Sequence, residues 1–275
     1  MLLIIGATSK LSKFIKLYFD NNDLFFSDKR RGFDYLIDLN NIEDLDIDQR
    51  ITHAIFLAGI TNIQKCEENP KLARKINGDN TIELIYKLNN KGIKVLFPSS
   101  TCVFSSNSIE DNFELSERSP DNIYGEIKSY VEINILRNKL NTVLRLSKVI
   151  NPDDYLLSNW KLNLLENKKI SVFCDLKLSP LCVYTVMEFF KKWYHSNNNG
   201  ILHLSPSSDL TYLELSNKLS NFLSTDKSLI NPVSAFESSK KILYSPLKSY
   251  LSCKLNGSRS LEINNEIEKI FNSLY

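Results

Sequence analysis

Residues 2–12 of the chain are LLIIGATSKLS, an apolar run followed by a glycine and a turn of small polar residues. The four apolar residues from Leu2 to Ile5 are typical of a strand that is buried on both faces of a sheet. From residue 11 onwards, apolar residues recur at the spacing of one helical face, at Leu11, Phe14, Ile15, Tyr18 and Phe19. The stretch therefore predicts a strand, a tight turn and a helix, and a second strand follows at 24–26.

The same alternation continues along the chain. It predicts strands at 53–57, 93–97, 142–146, 170–173 and 200–204, and helices at 71–88, 124–139, 156–166, 186–195 and 212–223. Because parallel strands need crossover connections, this order predicts an α/β fold of the Rossmann type, a doubly wound parallel sheet. We expect residues 1–150 to form that domain. Residues 151–275 should form a smaller C-terminal lobe interleaved with the last elements of the sheet.

Composition narrows the class of protein. The chain has 275 residues, of which 43% are hydrophobic and 24% charged, as in an ordinary globular enzyme. The net charge is only +2 and no basic tract is sustained, which argues against nucleic acid as a partner. No apolar run approaches the length of a membrane span. We therefore expect a cytoplasmic protein that is not bound to a membrane.

Cysteine and histidine usage argues against disulfides and metals. No CxxC pair occurs, and the odd number of cysteines indicates a reducing compartment: Cys66, Cys102, Cys174, Cys182 and Cys253. The histidines have no metal-ligand spacing either: His53, His195 and His203. No catalytic metal is expected.

The turn after the first strand has the position of a dinucleotide-binding turn. Such a turn uses glycine where the backbone approaches the pyrophosphate, and the following helix N-terminus favours the anion. Only Gly6 is present, while Ser9 and Ser12 hold the other two glycine places. An ordinary strand-to-helix turn is the alternative interpretation.

The end of the second predicted strand carries groups of opposite charge. A carboxylate at Asp28 suits the adenosine ribose hydroxyls and favours NAD. The basic residues Lys29, Arg30 and Arg31 follow it, and they suit a 2′-phosphate and favour NADP. A solvated charged loop is the alternative for the basic residues. The cofactor is therefore NADP or NAD.

Tyr124 and Lys128 stand four residues apart at the start of a predicted helix, which places them on one face, separated by roughly 6 Å of rise. A lysine so placed lowers the pKa of the phenol and holds the nicotinamide ribose, and the phenol exchanges a proton with a carbonyl or hydroxyl. Ser100 ends the preceding strand, at the edge where parallel sheets bind ligands. Each of these features is common by chance, but their order along the chain favours a catalytic site.

Taken together, these segments resemble the extended short-chain dehydrogenase/reductase superfamily, and within it the branch of dTDP-4-dehydrorhamnose reductase-like proteins. The similar segments are residues 5–11, Asp38-Leu39, 57–61, 66–70 with the later Asn77, 145–149 and 179–183. The resemblance implies that Tyr124 is the acid/base, that Lys128 orients it, and that Ser100 polarises the carbonyl. It also implies the cofactor contacts Gly6, Thr8, Ser9, Lys10, Leu11, Asp28, Lys29, Arg30, Asp38, Leu39, Leu57, Ala58, Gly59, Tyr124 and Lys128.

For the substrate, the implied contacts are Thr61, Cys102, Lys148 and Trp160. Cys102 holds the place of a catalytic cysteine in GDP-fucose synthase relatives, but no histidine partner follows Lys148. Apolar packing of a free thiol is the alternative for Cys102. Trp160 either lines the cleft or belongs to the core of the small lobe.

The resemblance implies an NAD(P)-dependent reductase of a 4-keto nucleotide-sugar, in deoxysugar or cell-surface polysaccharide biosynthesis. A nucleotide-sugar epimerase with bound NAD is the near alternative. Dehydration is disfavoured, because Thr101-Cys102 offers no carboxylate where the dehydratases of the family place an acid/base pair. A non-catalytic dinucleotide-binding scaffold is the third hypothesis, motivated by Ser9. The sequence also leaves open a homodimer.

Overall fold

A computed structural model describes residues 1–106, 111–235, 246–248 and 261–274. The described strands are β1 (Leu2–Ile5), β2 (Leu24–Asp28), β3 (Tyr35–Leu36), β4 (His53–Phe56), β5 (Lys94–Ser100), β6 (Asn141–Leu146), β7 (Lys148–Ile150), β8 (Ile170–Phe173), β9 (Lys177–Leu178), β10 (Pro180–Cys182), β11 (Gly200–Leu204), β12 (Leu210–Thr211) and β13 (Ile230–Val233).

The described α-helices are α1 (Ser12–Ile15), α2 (Ile63–Glu68), α3 (Pro70–Arg74), α4 (Asn80–Asn90), α5 (Ile123–Ile135), α6 (Tyr155–Leu165), α7 (Val183–Tyr194), α8 (Tyr212–Leu223) and α9 (Ile263–Asn272). A π-helical segment, Lys75–Asp79, joins α3 to α4. Within the described ranges, no helix is both long and apolar enough to cross a membrane.

Seven strands form one parallel sheet in the order β11-β6-β5-β4-β1-β2-β3. The strand order reverses at β1, which pairs with β2 on one side and with β4 on the other. A crevice for ligands forms at such a switch point, outside the carboxyl ends of the strands. The predicted doubly wound parallel sheet is confirmed.

Apolar side chains cover both faces of this sheet. Helices α4 and α5 pack on one face, and α1 and α7 pack on the other. A third core fills the C-terminal lobe between α6, β8, α8 and α9. Although they follow residue 150, α7 and β11 belong to the sheet layers, and β11 pairs with β6. The sheet therefore takes elements from both halves of the chain.

Three local predictions differ from the structure. The first helix has only four residues in α-helical conformation, and turns continue it to Phe19. The helix predicted at 71–88 is broken, because residue 77 lies in the π-helical segment, where its side chain binds the loop after β4. The strand β3 was not predicted, since two residues are too short for a periodic pattern.

Cys253 lies outside the described residues, and the other four cysteines are free thiols.

Candidate active site

A cavity of about 590 Å³ opens at the carboxyl ends of β1, β2 and β4, which is the switch point of the sheet. Its wall includes ten of the residues expected to contact the cofactor: Gly6, Thr8, Ser9, Asp28, Lys29, Arg30, Leu39, Leu57, Ala58 and Gly59. Five further residues of the wall were not predicted: Ile5, Ile37, Asn40, Ile60 and Ile76.

The turn after β1 needs its single glycine. Gly6 has φ +95°, and a Cβ at this residue would lie 2.6 Å from the backbone nitrogen of Ala58. Ser9 is not in the left-handed region, and its Oγ accepts a hydrogen bond from the backbone N–H of Ser12 at 3.1 Å. The serine at the second glycine place therefore fits without backbone strain, and its side chain binds the backbone of the first residue of α1.

Asp28 is buried in the wall of this first cavity. Its carboxylate accepts a hydrogen bond from Thr8 Oγ1 at 2.7 Å, and from the backbone N–H and Nε of Arg30 at 3.1 and 3.0 Å. Burial opposes ionisation of this carboxyl group, but these hydrogen bonds outweigh it and lower the pKa of Asp28. Arg30 lines the same cavity, and its charge neutralises the carboxylate of Asp28.

Five predicted cofactor contacts lie outside the cavity wall: Lys10, Leu11, Asp38, Tyr124 and Lys128, of which the last two are described below. Lys10 is exposed to solvent, and Leu11 packs against the core beneath α7. Asp38 accepts hydrogen bonds from the backbone and side chain of Asn40, while its neighbours Ile37 and Leu39 line the cavity. The expected Asp-hydrophobic pair is therefore split, with the hydrophobic member in the wall.

The loop after β4 is fixed by the side chain of Asn77. Its Oδ1 accepts a hydrogen bond from the backbone N–H of Ile60, and its Nδ2 donates to the carbonyl of the same residue, both at 2.7 Å. Gly59 has φ +136°, and a Cβ there would lie 2.8 Å from Asn77 Oδ1. This clamp sets the path of the loop between the first cavity and Thr61.

A second cavity of about 680 Å³ lies between the ends of β5 and β6 and the C-terminal lobe. It brings together five of the predicted residues: Thr61, Ser100, Cys102, Tyr124 and Lys148. Among the described residues that line it, two are charged, Lys148 and Lys177, and both are cations. The wall also contains Ser147, Ser179 and Tyr212, which were not predicted as site residues.

Trp160 does not line this second cavity. It is only 4% exposed and belongs to the core of the lobe, where its ring packs edge-on against Tyr212 at 6.3 Å between ring centres. Tyr212, in contrast, is part of the cavity wall. Trp160 therefore supports an aromatic residue of the wall, and of the two alternatives for this residue the structure shows the core of the lobe.

The first turn of α5 carries Tyr124, and two side chains bind its backbone N–H groups. Asn122 Oδ1 accepts a hydrogen bond from the backbone N–H of Gly125 at 2.9 Å. Glu67 Oε1, on α2, accepts one from the backbone N–H of Ile123 at 2.8 Å. Both contacts satisfy backbone donors that a helix N-terminus otherwise leaves free. The position of Tyr124 thus depends on α2 as well as on α5.

Lys128 lies behind Tyr124 and, in the described part of the chain, lines neither cavity. Its Nζ donates to the carbonyl oxygen of Pro98 at 2.8 Å and lies 4.1 Å from the ring centre of Phe97 and 5.8 Å from that of Tyr124. Burial lowers the pKa of Lys128 to about 8, because it disfavours the charged form. The ammonium is therefore close to half protonated in mildly basic solution.

Burial also decides the protonation states of the other two reactive groups. It raises the pKa of the Tyr124 phenol, so the phenol is protonated at neutral pH. It raises the pKa of the Cys102 thiol as well, although hydrogen bonds around Ser100 oppose the shift. Ser100 Oγ accepts a hydrogen bond from the backbone N–H of Cys102 at 3.2 Å. The cavity wall thus presents a neutral phenol, a neutral thiol and a hydroxyl.

Comparison with known proteins gives one family and many similar folds. The sequence model of the RmlD substrate binding domain matches residues 1–270. No curated protein matches the chain with significant sequence similarity.

Three solved structures illustrate the likeness. The dTDP-4-dehydrorhamnose reductase from Bacillus anthracis in complex with NADP is 22% identical, with 98% of each chain covered and a TM-score of 0.82. A dTDP-4-dehydrorhamnose reductase from Clostridium acetobutylicum is 20% identical, with 99% of this chain and 98% of that chain covered and a TM-score of 0.83. The UDP-N-acetylglucosamine 4-epimerase from Methanobrevibacter ruminantium in complex with UDP-N-acetylmuramic acid is 16% identical, with 99% and 96% covered and a TM-score of 0.81. Identities this low show a shared fold.

Proposed function

The chain belongs to the RmlD substrate binding domain family, and from this premise we propose that it is an NAD(P)-dependent reductase of a 4-keto nucleotide-sugar. One observation carries the proposal: a protonated phenol, Tyr124, and the Ser100 hydroxyl share the wall of a cavity whose charged wall residues, among those described, are lysines. A phenol is a suitable proton donor to a developing alkoxide, and lysines suit an anionic substrate.

The first cavity has the features that a nicotinamide dinucleotide requires. Gly6 allows the backbone of the turn to approach a pyrophosphate, and Asp28 and Arg30 face the end where the adenosine ribose would lie. The related reductase from Bacillus anthracis was solved in complex with NADP. When bound, the reduced nicotinamide supplies a hydride to the carbonyl carbon of the sugar.

In the proposed reaction, the residues of the chain manage the proton. The Ser100 hydroxyl donates a hydrogen bond to the carbonyl oxygen of the sugar, and the Tyr124 phenol donates its proton to that oxygen as negative charge develops. Lys128 donates one N–H to the Pro98 carbonyl, and a further N–H of the same ammonium would bind the nicotinamide ribose. Its charge also stabilises the phenolate that is left after proton transfer.

Features of the second cavity support a nucleotide-sugar as the substrate. Lys148 and Lys177 provide positive charge for a diphosphate, and Tyr212 provides an aromatic face for a base. The related epimerase from Methanobrevibacter ruminantium was solved with UDP-N-acetylmuramic acid. The wall also contains the protonated thiol of Cys102, which keeps epimerisation as the second candidate function.

Turnover of NADPH and NADH with a panel of dTDP-, UDP- and GDP-linked 4-keto sugars tests the proposal. We expect loss of reduced cofactor with at least one nucleotide-sugar, and a Tyr124→Phe variant should be slower by a factor of about 10² or more. Product analysis separates the two enzymes: a reductase consumes one cofactor per sugar, whereas an epimerase changes the sugar with no net consumption. Failure of both cofactors to raise the thermal stability of the chain would contradict the proposed reductase and would favour a scaffold that does not bind the cofactor.

A further inference from the structure

Helix α5 meets β5 and its extension at three successive levels. At the first, Gly125 packs against the carbonyl of Cys102, and at the second, the Lys128 ammonium binds the carbonyl of Pro98. At the third, Glu132 Oε1 accepts a hydrogen bond from Ser99 Oγ at 2.5 Å. Residues 125, 128 and 132 share one helical face, because they are three and four residues apart. The third level lies one residue from Ser100 and one turn from Lys128.

Glu132 is fully buried and is the centre of an ion cluster. Its carboxylate accepts hydrogen bonds from Arg145 Nη2, on β6, and from Arg118 Nε, in the loop before α5, both at 2.7 Å. Burial opposes ionisation of Glu132, but these partners and Ser99 outweigh it and lower its pKa. Glu132 is therefore a carboxylate tied to two neighbouring strands and a loop.

The far side of Arg145 is also fixed. Its Nη1 donates to the carbonyl oxygen of Glu114 at 3.3 Å and lies 3.1 Å from Nε2 of His203, on β11. The other ring nitrogen of His203 lies 2.8 Å from the carbonyl of Lys248. The cluster thus joins α5 to three adjacent strands of the sheet and to the described segment 246–248.

We propose that Glu132 is a positioning residue for the reaction proposed above: it holds Tyr124 and Lys128 in place against Ser100 by binding Ser99, and its charge keeps the Lys128 ammonium protonated. This inference rests on the proposed function for its kinetic part only. Replacing a buried ion pair by apolar residues is often neutral or stabilising, so general stability does not account for such a cluster. The position of the cluster, beside Ser100 and Lys128, accounts for it instead.

The surroundings of Lys128 support the electrostatic part. Burial lowers the pKa of Lys128, and Glu132, one turn away on the same helix, opposes that effect most strongly. The thiols of Cys66, on α2, and Cys102, after β5, also lie near the ammonium, but burial raises the pKa of both, so they are neutral at neutral pH. Among the described residues, the rings of Phe97 and Tyr124 and the Pro98 carbonyl also contact the ammonium, and they carry no net charge at neutral pH.

Substitutions of Ser99 test the positioning role of Glu132, and substitutions of Glu132 itself test the role of its charge. Ser99→Ala removes the link to β5 and leaves the ion pairs intact, so kcat should fall about tenfold while both KM values stay within about twofold, since a small misplacement of reacting groups lowers the rate. Ser99→Thr keeps the hydroxyl and should restore kcat. Ser216→Ala, at a fully buried serine of α8, is the matched control and should leave kcat unchanged.

Glu132→Gln tests the charge without any turnover. Competitive acetylation of lysines across a pH series, read by mass spectrometry, gives the titration midpoint of Lys128 in the full chain. The midpoint should move down by roughly one pH unit in Glu132→Gln. It should stay unchanged in Glu266→Gln, which alters a buried carboxylate of the lobe. If Glu132→Gln does not fold, Glu132→Asp retains the charge near Arg145 and should lower kcat as Ser99→Ala does.

The results that would overturn the inference are specific. A Ser99→Ala variant with the parent kcat removes the positioning role, and an unchanged Lys128 midpoint in folded Glu132→Gln removes the electrostatic role. If the parent chain reduces no 4-keto nucleotide-sugar, the proposed function fails. The Lys128 titration still tests the inference in that case.

Discussion

Gly125 passes so close to Cys102 that a Cβ at residue 125 would lie 1.9 Å from the Cys102 carbonyl oxygen. The contact joins the first turn of α5 to the turn that follows β5. Tyr124 is the residue directly before Gly125, and Ser100 lies two residues before Cys102. The backbone approach therefore brings the helix turn that carries Tyr124 next to the strand end that carries Ser100, and both line the second cavity.

Because that contact is with backbone, Gly125→Ala should displace α5 rather than a side chain. We expect a loss of stability of about 1–3 kcal/mol, as for overpacking elsewhere, and a fall in kcat of about 10². Denaturant unfolding and steady-state kinetics measure the two effects. Gly78→Ala is the control, since its Cβ would meet side chains rather than backbone: Arg74 at 3.0 Å, which can shift, and Ile127 at 3.5 Å, an ordinary contact. Equal kcat values for the parent and Gly125→Ala would contradict this account.

The sequence predicted the parts of the site that depend on local pattern. Apolar runs located the strands, and therefore placed Ser100 at a carboxyl end, while the four-residue spacing put Tyr124 and Lys128 on one face of a helix. Contacts between distant segments have no such pattern. The need for glycine at residue 125 comes from Cys102, and the need at Gly59 comes from Asn77, 18 residues later.

Trp160 shows a second limit of sequence pattern. Helix α6 has apolar residues around most of its circumference, so periodicity does not tell which face is buried. Tyr155 is 83% exposed on this helix, whereas Trp160 is in the core. Lys177 and Tyr212 reach the cavity wall through the packing of the lobe, and no local signal marks them.

The lowered pKa of Lys128 predicts a basic limb in the pH profile. Below pH 8 the ammonium is protonated and donates hydrogen bonds, and above its pKa of about 8 it loses that charge. The value of kcat/KM for NADPH, which reports the free enzyme, should therefore fall as pH rises through about 8. Lys128→Arg, whose guanidinium stays protonated, should move this limb to higher pH. A limb that stays in place in that variant would assign it to another group.

Arg30 should determine the preference between the two cofactors. It neutralises Asp28 and lies in the wall of the first cavity, so it can bind a 2′-phosphate that Asp28 alone would repel. Arg30→Ala should reduce the NADPH to NADH ratio of kcat/KM by about tenfold or more. Arg31→Ala, at an exposed residue outside that wall, should leave the ratio unchanged.

The two lysines of the second cavity should act on substrate binding rather than on the chemical step. Lys148→Ala and Lys177→Ala should each raise KM for the nucleotide-sugar by roughly tenfold, which is the magnitude of a charge-assisted hydrogen bond, with little change in kcat. Higher ionic strength should shrink the difference, because salt screens charges near the surface. Lys169→Ala, an exposed lysine outside the cavity wall, is the matched control. A fall in kcat at unchanged KM would instead place these lysines in the stabilisation of the transition state.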